Sequence, residues 1–372
     1  MSIDWSGIHR RRGFSWAAVP LAPCSFLYGW GVALNSWRMG LRPTRSLPGF
    51  VLSIGNLTAG GTGKTPAVSM IARWAEKEGY RPVVLTRGYG GRPSEKITVI
   101  HEARGLKPTV SEVGDEALLL ARRLPNVPVL VSRDRFSAGR KAYREYDANF
   151  FILDDGFQHL RLARDLDLLL MDSRDPLGNG HLLPWGPLRE PAHGVKRAHA
   201  LLLTRCGGGD GAGLETDKEI NDLKTIPVFQ SAHVPVSVVT PASGRLGVST
   251  LKERAVVAFC GIARPQSFYE TLAGLGADIR AFRGFPDHHQ FSRRDVEELK
   301  GLREKLGAGL MVTTEKDWMR LEPLMGRDPA VGYLCIDMRL LPDPQAFFGM
   351  IRKKAEALGI VPKRKAQRLR VR

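Results

Sequence analysis

Cysteine is scarce in this chain and scattered through it. Its four cysteines, Cys24, Cys206, Cys260 and Cys335, are far apart, with no C-x-x-C among them. That argues against a disulfide framework or a cysteine zinc site and fits a reducing cytoplasm. Acidic residues are also in deficit: 38 Asp and Glu stand against 55 Lys and Arg, a net charge of +17. An excess of this size calls for anionic partners, whether nucleotide, nucleic acid or an acidic membrane surface, and does not choose among them. No internal repeat of fixed period occurs. Between Arg12 and Arg38 charge is missing altogether, in "GFSWAAVPLAPCSFLYGWGVALNSW". A stretch of this length could nearly span a bilayer, but Pro20, Pro23 and its glycines weaken a spanning helix. No small-residue cleavage site follows, as a signal peptide requires.

What the stretch does have suits a membrane surface. Phe14, Trp16, Phe26, Tyr28, Trp30 and Trp37 are side chains of the membrane–water boundary, and arginines flank both ends (Arg10, Arg11, Arg12; Arg38, Arg42, Arg45). An interfacial anchor is the expectation, with a buried helical hairpin and a true span as alternatives. The C-terminal "KRKAQRLRVR" carries six positive residues in ten; it reads as a solvated tail, or as a basic patch beside an anionic membrane.

At 372 residues and 43% apolar content, the chain is long enough for two domains with sizeable cores. Residues 51 to 70, "VLSIGNLTAGGTGKTPAVSM", run from a strand (Val51, Leu52, Ile54) through a glycine-rich loop into a helix. Backbone N–H groups of such a loop and the positive end of the helix hold phosphate. Gly60, Gly61 and Gly63 let the backbone curl, Lys64 supplies the phosphate-binding amine, and Thr65 the hydroxyl for Mg²⁺. Thr58 stands where G-x-x-x-x-G-K-[ST] has its first glycine. ATP or GTP is the expected ligand of residues Thr58, Ala59, Gly60, Gly61, Thr62, Gly63, Lys64 and Thr65.

From residue 49 strand and helix alternate. "RPVVLTRGY", "VPVLVSRD", "YDANFFILDD" and "LDLLLMD" are near-continuous apolar runs of the kind buried parallel strands show, with helical periods at 67–78, 115–124 and 135–146. This predicts an α/β fold, a mostly parallel P-loop sheet with helices on both faces and ligand groups at the strand C-termini. A second alternation, from "AVVAFCGIARPQSFYETLAGLG" through "GLMVTTEKDWMRL" to "YLCIDM", predicts a smaller α/β domain. The expected divisions are 1–48, a membrane-associated helical segment; 49–238, the P-loop domain; 239–350, the smaller domain; and 351–372, the tail.

Several groups could do chemistry. "FFILDDG" ends a strand in Asp154 and Asp155, an acidic pair that beside a P-loop holds Mg²⁺ and elsewhere caps a turn. Asp115 and Glu116 open a helix in "EVGDEALLLARRL", where carboxylates either cap or act. In "FPDHHQF", Asp287, His288 and His289 lack a third ligand at zinc spacing, and on an extended segment only one of the two histidines would face a given site. Arg133, Arg135 and Arg189 could each fork onto phosphate, although Arg135 also reads as a surface residue at a helix start.

Together, "SIGNLTAGGTGKTP", "VGDEALLL", "LDDGFQHLRLARDLDLLLMD", "GNGHLLPWGPLREP", "FPDHHQF" and "TTEKDWMRL" resemble the tetraacyldisaccharide 4′-kinase family, in the family's order and over about residues 50 to 321. The resemblance implies transfer of the γ-phosphoryl group of ATP to the 4′-hydroxyl of an acylated glucosamine disaccharide 1-phosphate, giving lipid IVA. It implies Mg²⁺ as cofactor, an active site between two α/β domains, and a peripheral or monotopic place on the cytoplasmic face of the bacterial inner membrane, against its anionic lipids. By the same resemblance, Lys64 and Thr65 bind phosphate and metal, Asp154, Asp155 and Glu116 lie at the metal, and Asp115 is nearest to the catalytic base, supported by His288. Arg135, Gln158 and Arg189 line the site. His181 stands where a basic residue, commonly arginine, is expected. Two rivals are weaker. A membrane-associated ATPase switch would carry a lysine where Ala59 stands, and a nucleic-acid binder would show a recognised module, which is not found. No obligate protein partner is implied.

Overall fold

The computed structural model describes residues 9, 20–41, 43–92, 95–207, 226–326 and 328–362. Arg10 to Arg12, Phe14, Trp16, Arg42, most of the glycine-rich stretch at 205–213, and the basic run of the tail fall outside the described residues. Among the described residues the strands are β1 (Phe50–Gly55), β2 (Pro82–Thr86), β3 (Thr98–Ile100), β4 (Val129–Val131), β5 (Phe150–Asp154), β6 (Leu166–Asp172), β7 (Ala200–Thr204), β8 (Val228–Thr240), β9 (Gly244–Leu246), β10 (Ala255–Cys260), β11 (Asp278–Gly284), β12 (Leu310–Thr314) and β13 (Val331–Leu341). The helices are α1 (Leu21–Gly40), α2 (Lys64–Glu78), α3 (Val110–Val113), α4 (Asp115–Arg123), α5 (Arg135–Tyr146), α6 (Pro265–Gly274), α7 (Arg293–Lys305), α8 (Glu315–Met325) and α9 (Pro344–Ala357).

All the strands join one sheet, in the order β11-β10-β12-β13-β8-β7-β6-β1-β5-β2-β4-β3, with β9 beside β8. The pairings are parallel except at β3–β4, β8–β9 and β8–β13. The two expected α/β units therefore share a sheet, and the boundary at 238/239 falls inside β8. That strand and β13, 13 and 11 residues long, form the antiparallel seam between the halves.

Helices cover both faces, as the continuous apolar runs require. Every residue of β1 is buried. Phe50, Leu52 and Ile54 face Val68, Ile71, Ala72 and Ala75 of α2, whereas Val51 faces Ala138 and Ala142 of α5. The helix alanines let these backbones approach closely, and truncating a residue such as Leu52 to alanine would cost about 2–5 kcal/mol. Ile54 pairs with Asp154, so the end of β1 and the acidic pair emerge together at the C-terminal edge of the sheet.

The N-terminal helix α1 lies on the outside of this body. Ser25 donates to the carbonyl of Leu182 (2.9 Å), and Tyr28 donates to that of Arg189 (3.0 Å). Its outer face is an apolar stripe of Phe26, Leu27, Trp30, Leu34 and Trp37, continued by Leu41, and all six are exposed. No described helix is long and apolar enough to cross a membrane.

Candidate active site

The glycine loop leaves β1 and enters α2 at Lys64. Gly63 has φ +88°, and a Cβ there would come within 2.6 Å of His233 Nε2, so both conformation and space require glycine. Thr58 needs no such freedom, because its backbone bridges Leu188 in antiparallel fashion. Two further hydrogen bonds brace the loop against the same segment: Ala59 N to Pro187 O (2.6 Å) and Arg189 N to Leu57 O (2.7 Å). Lys64 Nζ donates to Asn56 Oδ1 at 3.0 Å and lies 3.4 Å from Asp155 Oδ1.

The two aspartates at the tip of β5 have opposite electrostatics. Asp154 is buried and accepts from Thr86 Oγ1 at 2.9 Å. Burial, then the charges of Glu116 and Asp155, push its pKa up to about 6 against the pull of Lys64. Asp155, with φ +51°, turns toward cations instead. Arg189 donates to both of its oxygens (2.9 and 3.0 Å), and Lys64 and Arg189 outweigh the effect of burial, so its pKa falls.

Asp115 is the first residue of α4, after Gly114, and is 4% exposed. The N-cap position itself is Gly114, and Asp115 Oδ1 accepts from the first-turn amide of Glu116 at 2.9 Å. Oδ2 lies 3.2 Å from His288 Nδ1 and 3.1 Å from Arg320 Nη1. Lys316 Nζ sits 3.0 Å from Glu116 Oε1 and 3.1 Å from His288 Nε2. Since an ammonium only donates, Nε2 accepts, and the remaining proton of a neutral imidazole sits on Nδ1, facing Asp115. Burial would raise the pKa of Asp115, but His288, Lys316 and Arg320 together lower it. Asp115 in turn raises the pKa of His288, against burial and Lys316.

The two neighbouring histidines do part, but not on an extended segment. His288 has φ +58°, and His289 turns away to Asp295, 3.2 Å off. Other expected residues are placed less simply. Arg135 is a buried residue rather than a surface one, donating to the carbonyl of Asp154 at 3.3 Å, and Arg133 is exposed. Gln158 donates to Asn56 O and to Glu190 Oε1, both at 2.9 Å, so it ties the loop to its brace. His181 is exposed and stacks on Trp185, with ring centroids 3.7 Å apart.

A cavity of about 1160 Å³ opens over these groups. Gly60 to Thr65, Glu116, Asp155, Gln158, Arg189, His288 and Lys316 line it, as do Tyr28 and Val32 of α1; Asp115, Asp154 and Arg135 lie behind the lining. Sequence reasoning missed Asn56, Lys316, Arg320 and Glu190. Lys316 and Arg320 sit four residues apart at the start of α8 after its cap, Thr314, a spacing that places both on one helical face.

The sequence model of the family described as tetraacyldisaccharide-1-P 4′-kinase (LpxK) matches residues 17–356. A curated tetraacyldisaccharide 4′-kinase of Syntrophus aciditrophicus (strain SB) is 39% identical over 353 residues, covering 91% of this chain and 93% of that one. One from Geobacter metallireducens is 38% identical, covering 87% and 94%. The solved structure of LpxK from Aquifex aeolicus, described as an "apo" form in complex with ATP, is similar at a TM-score of 0.72 and 30% identity, covering 91% of this chain and 99% of that one.

Proposed function

This chain belongs to the tetraacyldisaccharide 4′-kinase family, and we propose that its reaction runs between the glycine loop and the Asp115–His288 pair. The chain is an ATP-dependent kinase of lipid A biosynthesis that moves the γ-phosphoryl group to the 4′-hydroxyl of tetraacyldisaccharide 1-phosphate, giving lipid IVA. The observation that carries the proposed site is that residues from both halves line one cavity: the phosphate loop from one, His288 and Lys316 from the other.

Phosphoryl transfer asks mainly for positioning and positive charge. Loop amides and Lys64 would hold the phosphate chain, Lys64 leaving Asp155 and Asn56 for phosphate oxygens. Arg189 keeps Asp155 ionised. The donors fit Mg²⁺, which is usually held by one or two carboxylates together with phosphate oxygens and waters. Asp154, whose pKa burial, Glu116 and Asp155 push up to about 6, would have its unfavourable charge stabilised beside a cation. Thr65, Asp154, Asp155 and Glu116 would hold the metal, which supplies neutralisation of the phosphate charge when bound. Arg135 acts from behind, on the Asp154 carbonyl. The hydroxyl proton would pass to His288 Nε2 once Lys316 turns to the phosphates, as the Nδ1 proton shifts to Asp115, the final acceptor, whose carboxylate Arg320 holds in place. In a loose transition state the proton leaves late, so a carboxylate of lowered pKa serves well enough in this role.

The halves on either side of β8 would be the two lobes of the enzyme. The exposed stripe on α1 would lie in the headgroup region of the cytoplasmic face of the inner membrane, where a lipid acceptor and ATP are both at hand. The decisive experiment supplies γ-labelled ATP and the purified acyl-disaccharide acceptor. Label is expected in the lipid; label released only as inorganic phosphate would overturn the kinase reading.

A further inference from the structure

One buried carboxylate outside the groups just described connects the two halves to the glycine loop. Asp172, at the C-terminal end of β6, is 2% exposed. Its Oδ2 accepts from Arg205, just after β7, and from Arg264, which lies across the seam between β10 and α6. Arg205 has φ +62°, a strained conformation for a non-glycine residue that persists only where its surroundings impose it. Its second terminal nitrogen donates to the carbonyl of Gly61 at 2.7 Å.

That last contact carries the inference. A trans peptide is planar, with C=O and N–H pointing in opposite directions. Holding the Gly61 carbonyl outward on Arg205 therefore aims the amide of Thr62 the other way. This peptide turns about ψ of Gly61 and φ of Thr62, and Gly61 is a glycine with open space where a Cβ would stand, so the peptide has little intrinsic stiffness. Arg205 supplies it from outside.

We propose that Arg205 is a positioning residue for the phosphate loop, setting the direction of the Gly61–Thr62 peptide, and that Asp172 with Arg264 makes this setting depend on how the C-terminal half is seated. Asp172 fixes the guanidinium of Arg205 through one nitrogen while the other holds the loop. Arg264 reaches the same carboxylate oxygen from the far side of the seam, so displacement of that half frees Asp172 to move and loosens Arg205. The effect is on nucleotide phosphate, not on the lipid acceptor or the nucleoside. The inference rests on reading residues 58–65 as the phosphate cradle.

The test measures KM and kcat for ATP, KM for the acyl-disaccharide, and binding of ADP and of adenosine by calorimetry, in Arg205→Met, Arg205→Lys, Arg264→Met and Lys64→Ala. Arg205→Met is expected to raise KM for ATP and weaken ADP about tenfold or more, the scale of one charge-assisted hydrogen bond, with acceptor KM and adenosine binding within twofold. Arg205→Lys, a point donor that cannot fork onto both acceptors, should lie between it and the parent, and decides the matter if the methionine variant does not fold. Arg264→Met should weaken ATP by a smaller factor in the same pattern. Unchanged ATP and ADP affinity in both Arg205 variants, or equal losses for adenosine and ADP, would overturn the proposal. Lys64→Ala separates it from its premise: if that variant binds ADP normally, the cradle reading itself falls.

Discussion

The two sides of the cavity are held together differently. On the phosphate-loop side Lys64, Asp155 and Arg189 all belong to the half of the sheet before β8, and they meet at the ends of neighbouring strands. On the opposite side Asp115 meets His288 and Arg320, and Glu116 meets Lys316, across the seam. The first cluster follows from one strand–loop–helix unit and its paired strand. The second exists only while two halves are seated together. Ion pairs such as Arg73 with Asp337 (3.2 Å) and Arg352 with Glu78 (2.7 Å) link those halves, but partly exposed pairs contribute only about 0–1 kcal/mol each. The phosphate cradle is therefore built by one side and touched from the other only through Arg264 and Asp172, whereas the chemical step needs residues of both.

The largest expected effect tests the first side. Lys64→Ala should lower turnover by several orders of magnitude and weaken ATP binding, with the fold retained, because it removes a cation from the phosphates. Normal phosphorylation of the acceptor by this variant would break the assignment.

The next effect tests the second side. Asp115→Asn should reduce kcat by about 10²–10⁴, the range for a general base, with ATP affinity little changed. The Asp115→Ala, His288→Ala double variant should be little worse than the poorer single one, since the two act as a unit. Losses that multiply in the double variant would mean that the two residues act separately.

A third, smaller effect compares Asp154 with Asp155. Asp154 has its folded pKa raised to about 6 from 3.8. Its ionisation therefore destabilises the fold progressively as pH rises from about 4 to 6, and by about 3 kcal/mol above that, at 1.36 kcal/mol per unit. Asp155 has a lowered pKa, so it contributes stability above the ordinary carboxylate range that disappears as pH falls through its folded value. In Mg²⁺-free buffer at pH 8, Asp154→Asn should raise Tm and Asp155→Asn should lower it, with the Asp154→Asn gain disappearing near pH 4. Thermal melts across that range check the signs, and a lower Tm for Asp154→Asn at pH 8 would contradict the burial argument.

The smallest effect lies outside the cavity. Trp30→Ser with Phe26→Ser should shift the protein from anionic vesicles toward the supernatant while leaving ADP affinity within twofold, because both side chains point away from the body of the protein. Point changes are the cleaner test here, since deleting α1 would also remove Tyr28 from the cavity wall.

Much of this enzyme was determined by local sequence. A buried parallel strand, a glycine loop and a helix with a lysine at its start form a phosphate cradle from about fifteen consecutive residues, since backbone conformation and hydrogen bonding over that span depend on neighbours in the chain. The acidic pair was legible for the same reason, at the end of an apolar run, and so was the family, through motifs in order. Only the tertiary structure decided which charges face one another. Adjacent aspartates with identical sequence credentials acquired opposite pKa shifts, because one points into the core beside Glu116 and the other toward Lys64 and Arg189. Arg135, which reads in sequence either as a phosphate contact or as a surface residue at a helix start, is buried and donates to the Asp154 carbonyl. Asp115 and Arg320 are about two hundred positions apart, and no periodicity in either segment could announce that they lie 3.1 Å apart. That contact depends on β8 and β13 pairing antiparallel at the seam, so it is set by the packing of the two halves and not by any local run of residues.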